Sequence, residues 1–234
     1  MLSAADLARI TALGAPVLCI DTCNILDILR DPTREGSTAN EAQAAVDIVT
    51  ALERGTDLVC LLAPQVVTEW NENLPVVEDA AKKAIKKALD SIVRMEQRTQ
   101  VFGAQFQPVN FSHFNDDVER AIRIAERLMA ASTLIIESPN VYGLAYSRVL
   151  QPRTPASQGN QSMKDCVVTE TYLEAIRQLR AGNFQQKIAF VSSNTKDYCT
   201  PVPRTLKPDL AAEFQPLNVE YWSNLAAAKN YLGV

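Results

Sequence analysis

The chain has 234 residues, 47% of them hydrophobic and 21% charged, with a formal net charge of −4, the profile of a soluble globular protein long enough for one large α/β domain. Its pI of about 5.2 argues against a generic nucleic-acid coat, and no run approaches the roughly 18 apolar residues of a membrane span. Five scattered cysteines, no Cys-x-x-Cys pair and a single histidine, His113, argue against a zinc site and fit a reducing cytoplasm.

Residues 3–13 read as a first helix, capped by Ser3 and closed by Gly14 and Pro16. With acidic Asp6 and no continuous apolar core, this start does not read as a signal peptide. Val17, Leu18, Cys19 and Ile20 form a short apolar run, the pattern of a buried parallel strand. The run ends in Asp21, and Ile25, Leu26, Ile28 and Leu29 follow at helical spacing. Residues 31–37 are a polar loop, and 38–54 a helix stopped by Gly55. Residues 58–62 form a second buried strand, after which Pro64 suits the first turn of a helix carrying Val66, Val67, Glu69 and Trp70. Pro75 is expected to break that helix.

Residues 76–102 form one long helical pattern. Pro108 and residues 110–115 make a connector that holds His113, and 116–131 a further amphipathic helix. A short third strand is expected at 134–136 and a helix at 139–150. Residues 151–161, with Pro152, Pro155 and Gly159, read as an exposed, mobile loop. A helix over 162–180, strands at 188–191 and 217–221, and a closing helix over 222–232 complete the pattern. Strands alternating with helices imply a three-layer α/β/α fold around a central, mostly parallel sheet of about five strands. The expectation is a single domain over 1–234, with the 76–131 helices as an insertion within it.

Asp21 ends the first strand, Glu69 lies early in the helix after the second, and Asn194 and Asp197 follow the fourth. These segments leave the carboxyl edge of the sheet, where open α/β sheets bind ligands. Asp165 reaches the same edge, because its helix runs back toward the start of strand four. It also continues the inward stripe of Val168, Tyr172, Ala175, Ile176 and Leu179. Glu170 and Glu174 fall on another face and read as solvated surface. Two positions keep a second reading: Asp21 suits a helix N-cap, and Ser162-x-x-Asp165 is a capping-box pattern. Carboxylates that converge repel one another unless neutralised. Hard divalent cations neutralise them, and such an ion can activate water and stabilise a phosphoryl transition state.

Asp21-Thr22-Cys23, the stretch from Pro64 to Glu69, Lys164-Asp165 and Ser193-Asn194-x-x-Asp197-Tyr198 resemble the motifs of PIN-like domain nucleases. The resemblance spans most of residues 16–222. It implies a PIN-like, Rossmann-type fold, with Asp21, Glu69, Asp165 and Asp197 as an acidic quartet for Mg²⁺ or Mn²⁺. It also implies Asn194 in the position before the last acid, and Ser192 or Ser193 as the hydroxyl ending strand four. Many members carry Asn or Ser two residues after the first Asp. Here Cys23 stands there, and Asn24 one later is the supporting candidate. The chain is longer than compact toxin-type members, mostly through 76–131.

Lys83, Lys87, Arg94 and Arg98 recur along the long helix, and Arg120, Arg123 and Arg127 along the next. Each stripe fits two readings, a phosphate-backbone contact or a solvated face with interspersed acids. The function expected is a metal-dependent endoribonuclease cutting single-stranded RNA in the cytoplasm. By the resemblance its partner is RNA, with an antitoxin or other protein and a homodimer as further expectations, and no membrane. The rival is a catalytically weak PIN-like scaffold that binds RNA or protein. An aspartate-nucleophile phosphatase is disfavoured, because its Asp-x-Asp pattern is replaced here by Asp21-x-Cys23.

Overall fold

Every residue of strand β1 (Val17–Ile20) is buried, so its two faces both need cover, and helices provide it. The computed structural model describes residues 1–34, 36–105, 109–156 and 162–234. Helix α1 (Ala4–Leu13) leads into β1, followed by α2 (Thr22–Asp27), α3 (Ala39–Arg54), β2 (Val59–Leu62) and the long α4 (Pro64–Val101). Then come α5 (Asp117–Ala130), β3 (Thr133–Leu134), α6 (Pro139–Leu150) and α7 (Met163–Ala181). The chain closes with β4 (Ile188–Val191), α8 (Thr195–Tyr198), α9 (Pro208–Phe214), β5 (Val219–Trp222) and α10 (Leu225–Leu232).

All strand pairings are parallel, in the order β3-β2-β1-β4-β5. The sheet is flanked by helices on both sides, as a three-layer α/β/α fold requires. The chain runs outward from β1 to β2 and β3, then returns to β4 on the other side of β1. The order therefore reverses between β1 and β4, and the crevice beyond their carboxyl ends is the switch point where such sheets take ligands. Cys19 and Cys60 are buried in this core, as expected of small apolar residues. Among the described residues no helix is long and apolar enough to cross a membrane.

Three expectations are corrected. Helix α4 runs through Pro75 without a break. Proline deletes one helical hydrogen bond, to the carbonyl four residues back; that residue, Asn71, is exposed, so the lost bond falls on the solvent side of the helix, where it costs least. Glu170 is buried, not solvated: with Glu213 it pairs with Arg148, which is itself 0% exposed and donates to the Thr154 carbonyl. Consequently Thr154, Pro155 and Ala156 are buried under α9, with the Thr154 amide and hydroxyl both on Asp209. The expected exposed loop does not hold for these residues; its 157–161 part, and the connector's Pro108, lie outside the described residues.

Of the expected 76–131 insertion, α5 joins the main core through Ala125 and Leu128 and packs on α3. The third strand is shorter than expected, with Ile135 continuing its pairing through a backbone bond to Leu62.

Candidate active site

Asp21 follows β1 directly and is 3% exposed. Its amide extends the ladder onto the Val191 carbonyl. Its Oδ1 accepts the Thr22 amide at 2.7 Å, and its Oδ2 accepts the Ser192 hydroxyl at 2.6 Å and the Cys23 thiol at 3.1 Å. Asp21 thus occupies the N-cap position of α2, yet its side chain bonds the adjacent amide rather than the second or third amide that a capping residue takes. Burial raises its pKa, against the lowering effect of these three donors. Burial also raises the Cys23 thiol well above its ordinary value, so the neutral thiol acts as a donor.

Glu69 lies in the second turn of α4. Thr22 donates its hydroxyl to Oε2 at 2.8 Å, and Gln65, one turn earlier, donates its amide to Oε1 at 3.1 Å. Burial and then the nearby Asp21 charge raise the Glu69 pKa, opposed by Thr22, Gln65 and Lys164. Tyr172 fixes the scaffold beneath: its hydroxyl donates to the Ile20 carbonyl at 2.5 Å and accepts the Ala63 amide at 3.2 Å. One side chain of α7 therefore ties together the exits of β1 and β2.

Asp197 sits on the short helix α8 after β4, where Asn194 Nδ2 donates to its Oδ2 at 2.9 Å. Asn24 Oδ1 accepts the Ser193 amide at 2.7 Å, fixing the turn that follows β4.

Asp165 differs from the other three acids. It lies in the first turn of α7, and no donor among the described residues reaches its carboxylate. The capping-box pattern is not realised, since Ser162 makes no side-chain cap bond. Burial first, then the charges of Asp21, Glu69 and Asp197, push its pKa up to about 7. The four acids expected from the sequence therefore share one electrostatic environment. Lys164 next to it is paired with Glu72 of α4 at 2.5 Å, joining the two helices that carry Asp165 and Glu69.

An all-oxygen set with one uncompensated carboxylate fits a hard divalent cation. Among the described residues, however, no three His, Cys, Asp or Glu side chains stand close enough together to hold a metal ion.

The basic residues separate into two groups. Lys83 is paired with Asp79, Arg120 with Asp116 and Asp117, and Arg127 with Glu53. Lys87, Arg94 and Arg98 have no acidic partner among the described residues. His113 lies in the connector between α4 and α5, its ring against Phe114.

Sequence reasoning passed over Thr22, Gln65 and Tyr172 as supports. Gln65 was recognisable by its four-residue spacing from Glu69. Tyr172 was recognisable as the one polar tip in the buried stripe of α7.

A family model described as a PIN domain matches residues 18–198, a span that contains all four acids. No curated protein and no solved structure matches the chain.

Proposed function

This chain belongs to the PIN domain family, a nuclease-type scaffold, and on that premise we propose that it is a metal-dependent nuclease cutting single-stranded RNA. The observation that carries the reading is Asp165: a carboxylate with no donor among the described residues, whose pKa is raised to about 7 by burial first and then by the charges of three other acids. Asp21, Glu69, Asp165 and Asp197 would hold Mg²⁺ or Mn²⁺. Bound there, the ion supplies a more acidic water and charge stabilisation at the phosphate.

The chain's own residues orient this chemistry. Ser192, Cys23 and Thr22 fix the Asp21 carboxylate, Thr22 and Gln65 fix Glu69, and Asn194 fixes Asp197. In the hydrolysis, water would add its oxygen to phosphorus as the bond to the ribose oxygen breaks, the water giving up one proton and the leaving oxygen ending as a hydroxyl. Lys164 lies beside the acids but, like Lys83, is already held by a carboxylate, that of Glu72, so it adds little charge of its own for a passing phosphate. Lys87, Arg94 and Arg98 would carry the strand further along α4, while Lys83 contributes less because Asp79 already occupies it.

The rival reading, a scaffold that binds RNA without cutting it, is favoured by the lack, among the described residues, of three His, Cys, Asp or Glu side chains close enough together to hold a metal ion. Incubating the purified chain with mixed single-stranded RNAs in Mg²⁺, Mn²⁺ or EDTA decides between them. Cleavage with either ion, lost in EDTA and in Asp165→Asn, is the expected result. RNA retention without cleavage in every condition would leave the scaffold.

A further inference from the structure

Beside the carboxylates lies a cavity of about 210 Å³, lined by α2, by Arg34 and residues 36–38, by the start of α3 and by the residues preceding α10. It adjoins the acidic site through Asn24. That residue lines the cavity and is 2% exposed, and its Oδ1 accepts the Ser193 amide, one residue from the hydroxyl that holds Asp21. The other end of the same side chain, Nδ2, has no acceptor among the described residues.

Two carboxylates line the cavity, and they differ. Asp27 faces Arg30 at 3.1 Å and Arg34 at 3.2 Å, so its charge is compensated. Glu41 has no ion pair and no side-chain hydrogen bond among the described residues, so both of its oxygens are available. Arg34 is anchored by Asp27, through Nη1 to the carboxylate and Nη2 to the carbonyl, each at 3.2 Å. A guanidinium held in this way offers a flat, weakly hydrated face on which a ring can stack. Ile28 and Leu225 add apolar wall.

Two acids on the wall disfavour a phosphate here, and the volume suits one heteroaromatic ring system. A free carboxylate binds best to two adjacent N–H donors. Only guanine among the four RNA bases presents such a pair, N1–H and the N2 amino group. Adenine and cytosine place one amino group beside an acceptor nitrogen, and uracil places one N–H between two carbonyls. The spare Asn24 Nδ2 matches the guanine O6 acceptor. We propose that this cavity is a guanine subsite for the RNA strand whose phosphate meets the four acids, an inference that rests on the nuclease reading. Glu41 reads the base edge, Asn24 reads O6, and Arg34 stacks.

The test is a titration of the whole chain in EDTA with guanosine 5′-monophosphate, followed through backbone amide NMR signals. EDTA keeps binding separate from cleavage. The expected result is movement of the Asn24, Ile28 and Leu225 amides, with adenosine, cytidine and uridine monophosphates about tenfold weaker. Glu41→Gln should weaken the guanosine response about tenfold without altering the melting temperature. A second arm compares RNA tetramers carrying one guanosine or one inosine, which lacks the N2 amino group. Tighter binding of the guanosine tetramer supports a strand subsite. A response to the free nucleotide but not to either tetramer overturns it, as do silent amides or an unchanged Glu41→Gln. Mn²⁺-dependent cleavage of mixed RNA by the same preparation would then show that the guanine subsite had failed and the nuclease reading had not.

Discussion

The Ser192 hydroxyl donates a 2.6 Å hydrogen bond to Asp21 Oδ2, joining the ends of β4 and β1 across the point where the sheet order reverses. Ser192 is fully buried, so Ser192→Ala leaves a desolvated carboxylate one donor short. The expected cost is about 1–3 kcal/mol in chemical denaturation. The lost bond is also one that lowers the Asp21 pKa. The acid limb of the pH–activity profile should therefore move to higher pH. A profile that stays in place, with stability unchanged, would mean that the Cys23 and Thr22 donors suffice.

The Asp165 carboxyl, pushed up to about 7 from 3.8, makes the metal-free protein sensitive to pH. Between these values the folded chain binds a proton that the unfolded chain has released, so rising pH favours unfolding. The penalty is absent below the unfolded value, grows between pH 4 and 7, and is complete above the folded one. Asp165→Asn removes it. In EDTA the variant should melt higher than wild type at pH 8 and nearly alike at pH 4, by calorimetry. Parallel curves at all pH values would show that neither burial nor its neighbours raise the Asp165 pKa.

Metal linkage uses the same variant. An ion that binds the native carboxylates and not the unfolded chain stabilises by about 2.7 kcal/mol at 100 times its dissociation constant. Mn²⁺ should raise the melting temperature of wild type and do so far less in Asp165→Asn. Asp165 is the better position for this change than Asp21. An amide at 21 would turn an NH₂ group toward the Ser192, Cys23 or Thr22 donors and add a structural penalty. A flat wild-type response would remove the cofactor from the reading.

The strands and the four acids were legible because their signals are local. An apolar run ending in Asp21, and Asp165 three residues ahead of an inward stripe, can be read from spacing alone. What was not legible depends on distant partners. Glu170 looks like surface from its helix position, and only Arg148, 22 residues earlier, makes its burial tolerable. Pro75 looks like a helix stop, and only the exposure of the preceding turn lets the helix continue. The cavity at Asn24 gathers α2, α3 and the entry to α10, elements that no sequence window contains together.

The basic stripe on α4 divides by ion pairing. Lys87, Arg94 and Arg98 have no acidic partner among the described residues, whereas Lys83 is tied to Asp79 at 2.6 Å. Each phosphate contact on a single strand contributes about 0.7 to the slope of log affinity against log salt. Replacing Lys87, Arg94 and Arg98 together with Gln should flatten that slope by about 2 units, while Lys83→Gln leaves it nearly unchanged. Fluorescence anisotropy with labelled RNA in EDTA measures both. Equal slopes in all three proteins would return the stripe to a solvated face.

Arg148 gives the sharpest stability prediction. Its guanidinium is wholly buried, bonded to Glu170 and Glu213 and to the Thr154 carbonyl. Removing one member of a buried pair strands the other charge, at about 3–5 kcal/mol. For a chain of this size about 1 kcal/mol corresponds to roughly 2–4 °C, so Arg148→Met should lower the melting temperature by several degrees or more. The charge is the cause, because Met fills much of the same volume. The double variant Arg148→Met, Glu170→Gln should therefore recover most of the loss. The effect extends to the site: Glu170 lies on α7 five residues beyond Asp165, and Thr154 enters the segment leading to that helix. Arg148→Met should accordingly weaken the Mn²⁺-induced rise in melting temperature, and the double variant should restore it. If the double variant melts no higher than the single one, packing around Arg148 rather than its charge holds α6 and α7 together.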